Sequence, residues 1–167
     1  MKIKTIKVGY LETNCYILIK GNNALIIDPG DEYSKIKKKI ENLNVQAILL
    51  THHHFDHIGA LKFFNNIKII DYNTEENKIG DFKFEIIKTP GHTSDSITYY
   101  FKEEKIMFVG DFVFEGSIGR TDLDTGNYKE MKKSIEKLKT YPTDTKLYPG
   151  HGNNTTLEKE IKNNPFF

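Results

Sequence analysis

At 167 residues the chain suits one domain, residues 1–167, long enough to bury a core without disulfide staples. Hydrophobic residues make up 38% and charged residues 28%, a globular composition that excludes a disordered or membrane-embedded chain. The 24 basic and 23 acidic residues leave a formal charge of +1, which gives no support to a nucleic-acid or anionic-membrane partner.

The opening, Met1 to Val8, alternates polar and apolar residues and has no continuous apolar h-region of a secretory signal. No stretch approaches the ~20 apolar residues of a spanning helix. Cys15 is the only cysteine, so no intrachain disulfide can form and a reducing cytoplasm is the expected setting. It lies in a strand-like run, where a packed and inert thiol is expected.

Residues 2–8 and 14–20 read as strands, and after the turn Gly21-Asn22-Asn23 a third runs from Ala24 to Ile27. Asp28-Pro29-Gly30 stops it. Ser34 to Leu43 carries Ile36, Ile40 and Leu43 on one face amid lysines, the pattern of an amphipathic helix. Val45 to Leu50 is apolar throughout, as in a strand buried on both faces. Ile58 to Phe64 reads as a short helix, Ile67 to Ile70 as a strand, and Phe82 to Ile86 as a strand of period two. Ser96 to Phe101 and Lys105 to Val109 form a hairpin pattern. A loop from Phe112 to Gly126, with three glycines and Arg120, leads to a helix from Asn127 to about Lys139 that is expected to bury Tyr128, Met131, Ile135 and Leu138. A strand at 146–148 and a helix near 156–162 follow, and Phe166 and Phe167 are expected to cap the core. Strands outnumber helices, and two sheets with helices outside suit that order.

The chemistry concentrates in Thr51-His52-His53-His54-Phe55-Asp56-His57, which directly follows the apolar run. Four of the six histidines sit here, and the other two, His92 and His151, each follow a proline-glycine pair. Residues two apart in an extended segment point to the same side, so His52 and His54 can grip one metal ion while His53 faces away. Asp56 and His57 lie where the chain turns, and adjacent residues at a bend can converge on a second ion. His92, Asp111 and His151 each follow a glycine at a strand end, where glycine permits the tight bend that delivers the next side chain to the sheet edge. Imidazoles with a few carboxylates suit zinc, and also iron or manganese.

His52-x-His54-x-Asp56-His57, followed by Gly-His92, Gly-Asp111 and Gly-His151, resembles the metallo-β-lactamase superfamily over nearly the whole chain. The resemblance implies an α+β fold, an αββα sandwich with two metals at one edge of its sheets. It assigns His52, His54 and His92 to the first metal, Asp56, His57 and His151 to the second, and Asp111 as a bridge. It also makes Asp28 a partner that orients a ligand, although on sequence alone Asp28 reads equally as a turn-former.

Gly110-Asp111-Phe112-Val113-Phe114 and Gly116-Ser117-Ile118-Gly119-Arg120-Thr121-Asp122-Leu123, with Asn164-Pro165-Phe166, are similar to the glyoxalase II group, in particular to short bacterial members made of the sandwich alone. This implies hydrolysis of a small-molecule thioester such as S-lactoylglutathione by a hydroxide between two divalent ions, most simply zinc. Asp111 would bridge, and Asp56 would also orient the nucleophile. A basic residue nine positions after the bridging aspartate contacts the glycine carboxylate of glutathione in that group, which gives Arg120 a substrate-binding role; pairing with Asp122 or Asp124 is the alternative.

Genuine lactamases of the superfamily usually replace the bridging aspartate with a cysteine ligand, so Asp111 and the placement of Cys15 argue against one. His151 is followed by Gly152-Asn153-Asn154 rather than a tyrosine, and sixteen residues remain where full-length glyoxalase II adds a helical region, so the thiol need not be glutathione. A mononuclear iron persulfide dioxygenase, which shares the equivalents of His52, His54, His92 and Asp111, is the alternative activity.

Overall fold

The computed structural model describes residues 1–167 and places two five-stranded sheets face to face. The first sheet is laid down in chain order: β1 (Lys2–Val8), β2 (Thr13–Lys20), β3 (Asn23–Ile27), β4 (Asn44–Leu49) and β5 (Lys68–Ile70). The first three pair antiparallel, and β3, β4 and β5 pair parallel. A short hairpin, β6 (Lys78–Ile79) and β7 (Phe82–Lys83), leads to the second sheet. That sheet contains β8 (Glu85–Lys88), β9 (Ile97–Phe101) and β10 (Ile106–Gly110). After a second hairpin, β11 (Val113–Phe114) and β12 (Ser117–Ile118), it is completed by β13 (Lys146–Pro149) and β14 (Thr155–Thr156) in the order β14-β13-β10-β9-β8.

Three apolar layers explain why so many strands are apolar throughout. On β2, Tyr16 and Leu18 face the centre, against Tyr99, Phe101 and Phe108 of the second sheet. Their neighbours Cys15 and Ile17 face outward, with Ile26 and Ile48, beneath Ile36 of α1 (Tyr33–Ile40). On the far side Met107, Val109 and Leu147 pack under Met131, Ile135 and Leu138. Those three belong to α3 (Tyr128–Leu138), the longest of four α-helices that also include α2 (Phe55–Ile58) and α4 (Leu157–Asn163). Both faces of each sheet are therefore covered, and the expected αββα sandwich is the observed one. The thiol of Cys15 is fully buried, and burial, followed by the charge of Asp28, pushes its pKa far up, so it is an inert core group.

Topology gathers one edge. β8 and β10 both pair antiparallel with β9 and so run the same way, and β13 is parallel to β10. Their C-terminal ends deliver the residues that follow, as β3 and β4 do in the first sheet. β2 runs opposite to β3 and brings its first residues to that edge. Two buried tyrosines join the sheets there. The Tyr16 hydroxyl of the first sheet donates to Pro149 O at 2.6 Å, and that of Tyr99 in the second reaches Leu50 O at 2.9 Å and Ile70 O at 2.8 Å. Asn14 Nδ2 donates to Pro149 O and Gly152 O, and its backbone N–H to Gly150 O, which clamps the loop after β13.

Five expectations are corrected, the last at the C-terminus. The helix placed at 58–64 begins at Phe55 and stops at Gly59, because Ala60 N–H donates to Pro29 O rather than continuing the helix, and a separate 3-10 turn spans Leu61–Phe63. The strand at 82–86 is split, since Phe84 N–H turns to Asn77 O while Glu85 onward pairs with β9. α1 ends at Ile40 rather than Leu43. Tyr128 is exposed: it opens α3, whose first N–H groups are capped by the Asn127 side chain, and lies off the buried face of Met131, Ile135 and Leu138.

At the C-terminus Phe167 packs on the outer core as expected, but Phe166 is exposed. Asn164 Nδ2 donates to Ser117 O and to Glu160 Oε2. Buried Glu160 also accepts from Gly116 N–H and Thr155 Oγ1, which ties α4 to the β11–β12 hairpin.

Tyr99→Phe keeps the ring and strands Leu50 O, a buried carbonyl. The expected loss is about 1–3 kcal/mol of stability, read from urea unfolding midpoints with the metal content of wild type and variant matched.

Candidate metal centre

His52 and His54 leave the end of β4 on the same side, and His52 Nε2 lies 3.2 Å from His54 Nδ1. His92, from the turn after β8, brings its Nε2 to 3.0 Å from the same His54 atom. Asp56 and His57 come from the first turn of α2, and His151 follows β13; His151 Nε2 stands 3.2 Å and His57 Nε2 3.5 Å from Asp56 Oδ2. Asp111, from the end of β10, lies between the two groups. Its Oδ1 is 3.4 Å from His57 Nε2, and its Oδ2 is 3.5 Å from His151 Nε2 and 3.6 Å from His92 Nε2.

Donors about 2.0–2.1 Å from one ion in a tetrahedron stand roughly 3.4 Å apart, so these separations match two cages sharing Asp111. Two further observations fit. His57 Nε2 and Asp111 Oδ1 are buried without a hydrogen-bond partner, and orphaned buried polar atoms of this kind cost about 1–3 kcal/mol each unless something fills the gap. Four of the five outward ring nitrogens, all but that of His54, are held by oxygen. His52 Nδ1 faces Thr51 Oγ1 at 3.1 Å, His57 Nδ1 faces Asp28 Oδ2 at 2.9 Å, His92 Nδ1 faces Arg120 O at 2.8 Å and His151 Nδ1 faces Leu11 O at 3.1 Å. Each contact places the ring proton outside and turns the Nε2 lone pair inward, the arrangement that divalent cations require of imidazole.

Protonation follows the same geometry. Burial, then the neighbouring His57, hold His52 well below its usual pKa, and burial and His92 lower His54, so both favour the neutral ligating form. Burial acts against a charge on His57, but Asp28 and Asp111 outweigh it and push its pKa up to about 10. Burial is likewise outweighed at His151, which Asp111 and Asp56 raise to about 9. Those two rings carry protons near neutrality until a cation displaces them, so cation affinity falls as the pH falls. Against the cost of burial, hydrogen bonding to His151 keeps the carboxyls of Asp56 and Asp111 ionised well below the usual range.

Every residue assigned from sequence to the two metals is thus in the cluster. His53 is outside it, as expected, with Nδ1 on Asp95 Oδ2 at 2.5 Å. Arg120 lines the cleft over the cluster, but its guanidinium is engaged by Asp122, Nε to Oδ1 at 2.8 Å and Nη2 to Oδ2 at 2.7 Å. Asp28 contacts a histidine of the cluster, the position the resemblance implies for it. Its backbone is left-handed at φ 49°, and its carboxylate accepts from Thr51 N–H at 2.8 Å and Thr51 Oγ1 at 2.7 Å as well as from His57. Two partners were not anticipated. Thr13 Oγ1 donates to Asp56 Oδ2 at 2.8 Å, and Thr51 relays Asp28 to His52. Nothing local marks Thr13, whose partner is 43 residues away.

The glycines divide in role. Gly110 turns at φ 53° to aim Asp111, as the spacing suggests, whereas at Gly150 room is the issue: a Cβ there would overlap the Asp111 carboxylate and come within 2.7 Å of the His57 ring.

A family model described as "Metallo-beta-lactamase superfamily" matches residues 8–71 and 63–151. The chain belongs to this superfamily. Among curated relatives, "Probable metallo-hydrolase YqgX" of Bacillus subtilis is 37% identical over an alignment covering 99% of this chain and 97% of that one. "Hydroxyacylglutathione hydrolase GloC" of Haemophilus influenzae is 33% identical, covering 99% and 98%. Among solved structures, one described as "BLEG-1 B3 metallo-beta-lactamase" superposes with a TM-score of 0.93 at 33% identity, covering 99% of each chain. One of "TTHA1623 in a di-iron-bound form" gives 0.89 at 31%, covering 98% of this chain and 100% of that one. Membership, fold and cluster together make this chain a metal-dependent hydrolase of the superfamily, similar to the glyoxalase II group.

Asp28→Asn suits the left-handed backbone, which asparagine tolerates, but presents an N–H toward donors on Thr51 and His57. Affinity for divalent metal is expected to fall about 10–100-fold, measured by competition with a chelating dye; unchanged affinity would show that Asp28 does not orient the ligands.

Proposed function

We propose that the enzyme hydrolyses small-molecule thioesters at a two-metal site, with S-lactoylglutathione as the first substrate to test. The observation that carries this reading is the shared carboxylate of Asp111, within 3.4–3.6 Å of ring nitrogens from both groups. His52, His54, His92 and Asp111 would hold one divalent ion, and Asp56, His57, His151 and Asp111 the other. Zinc suits the mixed imidazole and carboxylate donors, and iron or manganese suits them as well. Bound there, such ions supply an ionised water at neutral pH and an electrophile for the carbonyl oxygen.

The chain's own residues prepare the rest. Thr13 donates to Asp56 Oδ2 and fixes the carboxylate, which would hold the remaining proton of the nucleophile and orient its lone pair. The water oxygen bonds to the thioester carbon, the C–S bond breaks with its electron pair on sulfur, and one proton passes to the thiolate, giving a carboxylic acid and a thiol. No serine or cysteine nucleophile is needed, and the single cysteine is buried away from the cluster among outer core residues. The name of the relative GloC supports a thioester substrate, and the lone buried cysteine suits a cytoplasmic setting.

Protein with counted metal, assayed with S-lactoylglutathione, other thioesters and a β-lactam, tests the reading. Two ions per chain with thioester cleavage are expected. One bound iron with oxygen uptake, or β-lactam cleavage alone, would overturn it. Asp111→Ala is expected to lose metal and at least about a hundredfold in rate together; full turnover with one ion or none would defeat the two-metal mechanism.

A further inference from the structure

The cleft over the cluster holds about 570 Å³, within the size range of small-molecule sites, and its walls differ sharply from its floor. The floor is the His and Asp cluster. The walls are Tyr10 and Leu11 from the β1–β2 turn, Phe55 at the start of α2, Phe114 of β11, and Leu123 beyond Arg120. Of the ten large apolar side chains exposed on this protein, four, namely Tyr10, Leu11, Phe55 and Leu123, line this one cleft. Scattered apolar residues are ordinary on a surface, but a group of them around a reactive centre is a contact surface. Tyr10 is 82% and Phe55 63% exposed, so much of their area is still open to cover.

Charge points the same way. Arg120 is the only Lys or Arg among the residues lining the cleft, and Asp122 occupies the Nε–Nη2 edge of its guanidinium in a bidentate pair. A carboxylate that takes the side-on edge must displace an aspartate already held there in bidentate geometry, and the charge it meets is already paired. The walls offer an anionic thiol no unpaired cation and offer an apolar chain several faces.

Resting on the thioesterase reading above, we propose that Tyr10, Leu11, Phe55, Phe114 and Leu123 form an apolar subsite that selects thioesters of uncharged thiols with apolar acyl chains over glutathione thioesters.

The test is a grid of substrates on metal-loaded enzyme: acetyl, butanoyl, hexanoyl and octanoyl groups, each on N-acetylcysteamine and each on glutathione, with S-lactoylglutathione alongside. On the uncharged thiol, kcat/KM is expected to rise about two- to fourfold per added methylene until the cleft is filled. Each N-acetylcysteamine ester is expected to exceed its glutathione counterpart. Phe55→Ser and Leu123→Ser, with metal content measured, are expected to lower the hexanoyl-to-acetyl ratio at least fivefold. A flat chain-length series, glutathione esters as the better substrates, or an unchanged ratio in both variants would overturn the subsite and leave the thioesterase intact. No cleavage of any thioester would instead overturn the activity itself, and the subsite with it.

Discussion

The site depends on one buried carboxylate that is not itself placed to bind metal. Asp28 is 2% exposed, and a charge so deep is tolerable only when hydrogen bonds replace its lost water. Thr51 supplies two and His57 a third. Those partners belong to different metal groups: Thr51 passes the constraint to His52 of the first, and His57 serves the second. The end of β3, the end of β4 and the first turn of α2 are therefore fixed relative to one another by a single side chain. Its left-handed backbone, φ 49°, turns the chain into Pro29, whose carbonyl in turn ends α2 at Gly59. The same few residues thus decide where the short helix stops and which way its histidine points.

Cross-sheet ties extend this constraint to the other half of the cage. Tyr16 and Asn14 hold the carbonyls on either side of His151, and Tyr99 holds the strand end that leads into Thr51. These polar contacts lie at the rim of an otherwise apolar central layer, where each donor reaches a carbonyl that sheet pairing leaves open. Sandwich packing alone fixes the distance between the sheets; the tyrosines and Asn14 fix their registration at the edge where the cluster must close.

Sequence reasoning reached the parts of this that have a local signature. The alternation of β1, the apolar run of β4 and the spacing His52-x-His54-x-Asp56-His57 each declare an element or a ligand within a few residues, and glycines mark His92, Asp111 and His151. Thr13 and Asn14 were invisible because their meaning lies 43 and 135 residues away. The bounds of α2 are not legible locally, because the carbonyl that takes Ala60 N–H and ends the helix belongs to Pro29, far back in the chain. The break at Phe84 escaped for a similar reason: a perfect alternation says which face a side chain takes, and says nothing about a change of pairing partner between Lys83 and Glu85. Arg120 was read as open to two fates, and the structure gives its side chain to Asp122 while its carbonyl serves His92.

That last division reaches beyond the present chain. The Arg120 carbonyl positions a histidine of the cluster while Phe114 and Leu123, on the same stretch, shape the cleft above it. The stretch is anchored at its base by Glu160 and Asn164 of the C-terminal helix. Descendants of this sequence can therefore explore new substrates by exchanging side chains along the loop, but insertions or deletions between Phe112 and Gly126 would shift a carbonyl that the cluster needs. Diversification by loop length is therefore costlier here, where a carbonyl holds His92, than in a loop that carries side chains alone.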